Sequence, residues 1–272
     1  MDLKAKISEL TGLKYVYNTE SMKGADILEP TGCFYKDVIV YDFKSFYPSI
    51  IMGYGVFGDK ITDFLLKMYE KKNQGDPEAK IIMSSIYGQF KHFDIKKAAL
   101  VTKLGRKLIR KLRLAIKTAG FNVIYSHTDS VMVSDISDPS KQLQLNNVIR
   151  SFTKWTKIQL LNNTPLKIEI EDKFKYIYFH KNGDVFAKNR YIGVNKDDTI
   201  KYLGVKPNEE ELKMLDFIES KLITGTRLTN SKELMEYMSK YEKQTSVYEN
   251  KHSFINLDRL TILEVEKQLV EL

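Results

Sequence analysis

The spacing of apolar residues along the chain predicts a mixture of helices and strands. In residues 95–119, apolar side chains recur every fourth position from Leu100 to Ile116, which predicts the core-facing side of a long helix ended by Gly120. Residues 34–43 are strand-like, and the runs 121–126 and 130–134 flank a short polar stretch that predicts a tight turn. The other predicted elements are a short helix within residues 1–23, helices over 61–72, 77–88 and 141–161, and strands between 166 and about 205.

Helix signals indicate a small helical hairpin and a later boundary. Residues 73–77 (NQGDP) interrupt the helical pattern, and Asp76 and Pro77 are favoured types for an N-cap and a first helical position. Beyond Pro207 the pattern is helical again and begins with consecutive glutamates, which suit a helix N-terminus. We therefore place a domain boundary at Pro207.

Composition narrows the class of protein. With 272 residues, 43% of them hydrophobic, the chain can bury a substantial core. Its net charge of +8 favours a polyanionic partner, either nucleic acid or an anionic membrane surface, although charge alone fits any soluble basic protein equally well. Cys33 is the only cysteine, which excludes an intrachain disulfide. No stretch approaches the roughly 20 apolar residues of a membrane span, so we expect a soluble intracellular protein without a membrane partner.

Three segments carry the candidate functional residues of the chain. Residues 41–51 (YDFKSFYPSII) follow an apolar strand, so Asp42 is predicted at a strand end, before a sharp turn through Pro48. Residues 80–88 (KIIMSSIYG) lie on the capped helix, where positions 80, 84 and 87 share one face. Residues 125–131 (YSHTDSV) form the turn that presents Asp129. A single aspartate at a strand end is commonly a turn or capping residue, so the combination carries the signal.

In this order, the three segments resemble the polymerase motifs of family B DNA polymerases. Residues 24–32 (GADILEPTG), 98–106 (AALVTKLGR) and 188–193 (KNRYIG) are similar to further elements of that family. The resemblance covers residues 24–205 and implies an α+β fold, with an antiparallel palm sheet packed by helices, short helical fingers and a C-terminal helical thumb. The implied domains are an N-terminal segment (1–23), a first part of the palm (24–51), abbreviated fingers (52–92), a second part of the palm (93–206) and the thumb (207–272).

The implied activity is DNA-templated addition of deoxynucleotides to a primer 3′ end. Such chemistry uses two hard cations about 3.5–4 Å apart, and magnesium takes carboxylate and carbonyl oxygens from few protein ligands. Asp42, Asp129 and the carbonyl of Phe43 are the expected ligands of two Mg²⁺ ions, with Mn²⁺ as a substitute. Glu169 and Glu171 are expected near this site on a neighbouring strand, and the sequence does not choose between them.

The resemblance also implies residues that bind the deoxynucleoside triphosphate. Lys80 is expected at the phosphates, assisted by Lys67, Lys71 or Lys72 on the preceding helix, although a solvated helix face is the preferred interpretation for Lys71 and for Lys72 individually. Tyr47 matches the steric gate that leaves no room for a 2′-hydroxyl, although a Tyr in this aromatic-rich turn also fits a core position. The remaining candidates are Phe43, Ser45, Phe46, Ser84 and Tyr87, the last of which is expected to line the nascent base pair.

Primer–template DNA is the other expected partner. The basic helix across residues 103–117 is expected to follow duplex phosphates, which gives affinity without sequence information, although such a face can equally be solvated. The individual DNA-binding candidates are Gly88, Arg106, Lys188, Arg190 and Tyr191.

Several positions depart from the family pattern. His127 stands where the third motif usually has Asp, and Ser84 where the second usually has Asn. Only 38 residues separate Asp42 from Lys80 (80 − 42), hence the abbreviated fingers. With 41 residues before Asp42, no proofreading exonuclease domain is expected in this chain, and a separate exonuclease or accessory subunit could supply it. His127 and His180 have no second ligand at zinc spacing, so we expect no zinc site.

Two other interpretations remain open from the sequence. The chain could be a catalytically degenerate polymerase fold that serves as a DNA-binding scaffold, or one subunit of a split polymerase. It could also be a polymerase with relaxed template or sugar choice, for which Tyr47 is the discriminating residue.

Overall fold

The computed structural model describes residues 2–32, 34–158, 160, 164–182, 185–197 and 199–203. The predicted thumb, residues 207–272, lies outside these described residues. The helices are α1 (Leu3–Thr11), α2 (Phe46–Tyr54), α3 (Asp59–Asn73), α4 (Pro77–Phe90), α5 (Ile95–Thr118) and α6 (Pro139–Ile158). The strands are β1 (Ile27–Leu28), β2 (Phe34–Lys44), β3 (Asn122–His127), β4 (Ser130–Ser134), β5 (Lys167–Asn182), β6 (Val185–Asn195) and β7 (Ile200–Leu203). The α+β class is therefore confirmed.

The chain divides into two compact units, of which the first carries the helices. It comprises Met1–Leu28, Val40–Val133 and Ser137–Glu171. Its strands follow the order β1-β3-β4-β2-β5, and β1 pairs antiparallel with β3, with Ile27 opposite His127. Apolar side chains from β2 and from α2 to α6 form its core, as the buried Val40, Ile51 and Leu112 illustrate.

The second unit is an antiparallel sheet in its described part. It comprises Glu29–Ile39, Ser134–Ile136 and Asp172–Leu272, with strands in the order β2-β5-β6-β7. Phe179 lies opposite Tyr191 in the β5–β6 pairing. A Cβ atom added at Gly193 would lie 2.3 Å from the Phe174 ring, so this close packing of ring on backbone requires glycine.

Helix α5 confirms the predicted long helix and corrects its core-facing side. Leu108, Leu112 and Ile116 are buried, as expected, but Leu100 is 44% exposed. An α-helix advances 100° per residue, so a repeat of four drifts by 40° at each step. Followed backwards over the two turns from Leu108 to Leu100, the stripe therefore turns out of the core, and Val101 and neighbouring residues are buried in its place.

The predicted helical hairpin is confirmed, whereas α2 was not predicted. Asp76 caps α4 by accepting hydrogen bonds from the amides of residues 78 and 79, with Pro77 next in the chain. The sequence indicated only a sharp turn at Pro48, but Pro48 occupies the third position of α2. The first-turn amides of a helix have no intrahelical acceptor, so proline is tolerated there. Among the described residues, no helix combines the length and apolar character needed to cross a bilayer.

Candidate active site

Two distant segments meet where β2 ends in the first unit. The backbone N–H of Phe43 donates to the carbonyl oxygen of Asp129 at 2.9 Å. Asp129 belongs to the two-residue turn between β3 and β4, in which Thr128 has a positive φ of 54°. Asp42, at the end of β2, is thereby placed beside the turn that carries Asp129. The two aspartates that the sequence singled out are brought together.

The two carboxylates interact electrostatically in a half-buried setting. Burial, followed by the negative charges of Asp42 and Glu171, raises the pKa of Asp129 to about 7. Burial also raises the pKa of Asp42, and the charge of Glu171 adds to this effect. The raised pKa values mean that the ionised form of each carboxylate is destabilised in this setting. A bound cation would stabilise the ionised forms.

Lys44 is a member of this site that the sequence did not indicate. Its ammonium lies 3.1 Å from Oδ1 of Asp42 and donates a hydrogen bond to it. Burial acts to lower the pKa of Lys44, but the contact with Asp42 outweighs burial and raises it. Lys44 lies within the first motif, two residues after Asp42, and side chains two residues apart on a strand share a face, so this spacing could have identified it.

The structure distinguishes Glu171 from Glu169. Glu171 acts on both aspartates, as their raised pKa values reflect. Glu169 forms an ion pair with Lys167, and this contact lowers its pKa. Glu171 is thus electrostatically coupled to both aspartates, whereas the charge of Glu169 acts on Lys44 and Lys72.

The donor set suits a divalent cation that keeps much of its own hydration. Among the described residues, no cluster of three or more His, Cys, Asp or Glu side chains has metal-binding geometry. Asp42, Asp129 and nearby backbone carbonyls leave room for water and phosphate oxygens, which magnesium requires beside one or two carboxylates. Their oxygen-only chemistry fits Mg²⁺ and not zinc, which favours His and Cys.

Positive charge reaches the site from helices α3 and α4. Lys72 donates a hydrogen bond to Oγ of Ser45 at 2.7 Å, so the expectation of a solvated Lys72 is wrong. Burial and the nearby charges of Lys44 and Lys80 lower the pKa of Lys72, which places these three lysines within electrostatic range of one another. Lys71 is exposed as expected, and Lys67 is exposed on α3 without contact to Ser45.

Tyr47 packs in the aromatic layer above the strand end. Its ring stacks on Tyr87 with centroids 4.2 Å apart and lies 5.5 Å from the ring of Phe46. Burial, and then the neighbouring Tyr87, raise the pKa of Tyr47 to about 12. A Cβ atom at Gly105 of α5 would lie 3.2 Å from the Tyr47 ring, so glycine there sets how deeply the ring can sit.

The outer face of α4 carries the remaining residues of the second motif. Lys80 and Ser84 are exposed on it, as their shared face predicted, and Oγ of Ser84 donates to the carbonyl of Ile81 within the helix. A Cβ atom added at Gly88 would meet no heavy atom within 4 Å, so the space beside this glycine is open.

Asp26 supports the turn of Asp129 and was not identified from the sequence. Its carboxylate accepts hydrogen bonds from Arg110, at 2.7 and 2.9 Å, and from Arg113. Arg113 also donates to Oγ of Ser126, and the N–H of Thr128 donates to the carbonyl of Asp26 at 3.3 Å. The only sequence signal for Asp26 was its position within residues 24–32, the segment that resembles an element of the polymerase family.

The DNA-binding candidates have mixed surroundings. Arg106 donates to the carbonyls of Lys23 and Gly24 at 2.8 and 2.7 Å, so its guanidinium already holds the preceding segment. In the second unit, Arg190 is exposed, but Tyr191 is only 5% exposed and packs against aromatic side chains. The burial of Tyr191 argues against a direct DNA contact. Lys188 lies in β6, and its side chain is outside the described residues.

Comparisons with known proteins agree with this architecture. The family model for DNA polymerase family B matches residues 10–57, which include Asp42 and Tyr47. DNA polymerase 1 of Sulfolobus acidocaldarius is 25% identical over 90% of this chain and 33% of its own length. DNA polymerase II of Escherichia coli is 25% identical over 40% of this chain and 19% of its own length. The family B DNA polymerase structure from Pyrobaculum calidifontis matches with a TM-score of 0.61 at 18% identity, covering 92% of this chain and 38% of that one.

The chain is therefore similar in sequence to family B DNA polymerases, and its fold is like that of a solved member of that family. It spans about a third of the length of the curated relatives that it matches over most of its own length. The expectation of a polymerase without a proofreading domain therefore stays a prediction, as do the domain boundaries.

Proposed function

We propose that this chain carries the catalytic core of a DNA-templated DNA polymerase, which extends a primer 3′ end with deoxynucleotides. The observation that carries the proposal is the hydrogen bond between Phe43 and Asp129. It sets two half-buried carboxylates, from distant parts of the chain, beside each other where β2 ends. The names of the relatives, all DNA polymerases, support the same activity.

In the proposed reaction, the primer 3′-hydroxyl attacks the α-phosphate of a deoxynucleoside triphosphate and pyrophosphate leaves. Two bound Mg²⁺ ions would supply the charge that activates the hydroxyl and stabilises the leaving oxygen. Asp42 and Asp129 hold the carboxylate oxygens for these cations, and the carbonyl of Phe43 is close enough in the chain to add a third ligand. Lys44 neutralises Asp42 in the absence of a cation.

The chain's other residues bind and orient the substrates. Lys80 and Lys72 direct positive charge from α4 and α3 towards the triphosphate, and Lys72 also orders Ser45. Tyr47, held against Tyr87, fills the space that a ribose 2′-hydroxyl would need. Most of the rate enhancement then comes from positioning and preorganised charge.

Extension of a labelled primer–template tests the proposal directly. The chain is incubated with Mg²⁺ and deoxynucleotides beside Asp42→Ala, Asp129→Ala and the control Asp63→Ala, whose carboxylate is exposed on α3. We expect both site variants to lose activity on the order of a thousandfold, and the control to retain it. Extension that survives Asp129→Ala would overturn the two-metal assignment. An inactive wild type with intact DNA binding would favour a scaffold or a missing partner subunit.

A further inference from the structure

A groove on the first unit, beside the candidate active site but not lined by Asp42 or Asp129, has a concentration of positive charge. It is a shallow, open groove of about 620 Å³ between the last turns of α6 and the start of β5. We call it the α6–β5 groove, and its lining residues are Ile149, Arg150, Thr153, Lys154, Lys157, Lys167 and Ile168. Four of the seven are cationic, and none is acidic.

The cations on α6 share one helix face. Arg150, Lys154 and Lys157 are spaced i, i+4 and i+7, and all three are exposed. Like charges at this spacing destabilise a helix, and none of the three forms an ion pair with a carboxylate that the structure describes. From Arg150 to Lys157 the helix rises roughly 10 Å, so the charges form a short row.

The other lining residues of the groove, on β5 and on the buried side of α6, indicate that it recognises phosphates and not bases. Lys167 contributes a fourth cation, with its side chain 60% exposed although it pairs with Glu169. The floor is aliphatic at Ile149, and the hydroxyl of Thr153 is already bonded to the carbonyl of Ile149 at 2.8 Å. Because none of the described lining residues is aromatic, they offer no platform for base stacking. The chemistry of the groove favours phosphates over bases.

The groove is also close to the candidate active site along β5. Lys167, Glu169 and Glu171 alternate on this strand, so their side chains share one face. Lys167 lies four residues before Glu171, which acts on both aspartates, a separation of roughly 13 Å along an extended strand. A ligand in the groove would therefore be a few nucleotides from the catalytic carboxylates.

We propose that the α6–β5 groove binds the phosphate backbone of single-stranded DNA, independently of base sequence. This rests on the proposed polymerase function, which brings single-stranded template to the same unit. A row of three cations over about 10 Å matches successive phosphates of one flexible strand, whereas a duplex is a wide rigid cylinder that can touch so short a row with only part of its surface. The groove is distinct from the residues that the family motifs implicate.

Binding of a fluorescent 20-nucleotide oligodeoxythymidine, followed by anisotropy, tests the proposal on the whole chain. The groove variant carries Arg150→Gln, Lys154→Gln and Lys157→Gln. A matched control with the same charge change replaces three exposed lysines, Lys14, Lys60 and Lys141, by Gln. We expect the groove variant to bind about tenfold more weakly at 0.1 M salt and the control to change less than twofold. The slope of log K against log salt should fall by about 2 in the groove variant alone.

Other outcomes decide against the proposal. Equal loss in both triple variants would show a general effect of net charge. A duplex or poly-glutamate of matched charge that binds as tightly, with the same dependence on the three cations, would show a non-specific polyanion surface. Thermal midpoints of both variants check folding. If the triple variant is unstable, Lys154→Glu alone replaces it, and this single change should also weaken binding.

Primer extension by the same proteins separates this proposal from the proposed function. A wild type that never extends a primer, but loses oligonucleotide binding in the groove variant, would refute the polymerase activity and leave the groove standing. Normal extension with unchanged oligonucleotide binding would refute the groove alone.

Discussion

Removing the Asp26 carboxylate should be among the most destabilising single changes to the first unit. The Asp26 side chain is only 10% exposed and accepts hydrogen bonds from two arginines, of which Arg113 is 14% exposed. Burial acts to lower the pKa of Arg113, and the charge of Asp26 opposes this effect. In Asp26→Ala, Arg113 would be left as a buried cation without its partner.

The magnitude follows from that unpaired charge. Breaking a buried ion pair by removing one partner costs about 3–5 kcal/mol, whereas the more exposed Arg110 adds little. With a urea dependence of about 2–3 kcal/mol per molar, the unfolding midpoint of Asp26→Ala should fall by roughly 1–2 M. Urea unfolding followed by circular dichroism measures this shift.

Two further variants make the reasoning refutable. Glu9→Ala removes a carboxylate that is 64% exposed and paired with Lys6, and it should change stability by less than about 1 kcal/mol. In the double variant Asp26→Ala with Arg113→Met, the buried charge is gone, so part of the loss should be recovered. An Asp26→Ala midpoint no lower than that of Glu9→Ala, or no recovery in the double variant, would refute the argument.

Three other predictions concern packing, sugar choice and pH. Gly193→Ala should destabilise the second unit by about 1–3 kcal/mol in urea unfolding, because its Cβ would overlap the Phe174 ring. Tyr47→Ala should raise ribonucleotide incorporation relative to deoxynucleotide incorporation in primer extension, because the gate is removed. Without divalent metal, the folded state holds the Asp129 proton more tightly than the unfolded state, because folding raises the pKa from 3.8 to about 7. Stability should therefore fall as pH rises through this window, by up to about 4 kcal/mol, and Asp129→Asn should flatten the dependence in thermal unfolding.

Each of these predictions has a contrary outcome. Gly88→Ala, at an open helical position, should be neutral or stabilising, so an equal loss in both glycine variants would exclude the ring overlap as the cause. Unchanged ribonucleotide use in Tyr47→Ala would leave Tyr47 as a core residue. A metal-free pH dependence that persists in Asp129→Asn would assign it to other groups.

The sequence predicted the elements whose signals are local. The cap at Asp76, the break before it and the apolar run of β2 each depend on neighbouring residues, and each is found where it was predicted. Helix α2 was missed because a proline near a helix start looks the same as a proline in a turn. The side of α5 facing the core was only partly predicted, because a repeat of four departs slowly from the true helical period.

Site residues were predicted where a sequence motif identified them. Contacts between residues far apart in the sequence were not predicted. Asp42 and Asp129 were identified by their motifs, and the structure brings them together. Lys72 was expected to be solvated because its spacing on α3 gives no sign of Ser45, 27 residues earlier. Asp26 and Arg113 are 87 residues apart, and no local pattern predicts that they meet.

The distance in sequence between Asp26 and the turn at Thr128 has a consequence for the order in which the protein folds. The hairpin of β3 and β4 can close early, because its strands are adjacent in the chain. Its turn gains the support of Asp26 only after about a hundred residues have been brought back together, and long-range closure of this kind is slow. Mutations at Asp26 should therefore speed unfolding more than they slow folding, because the contacts of Asp26 with this turn form after the hairpin itself.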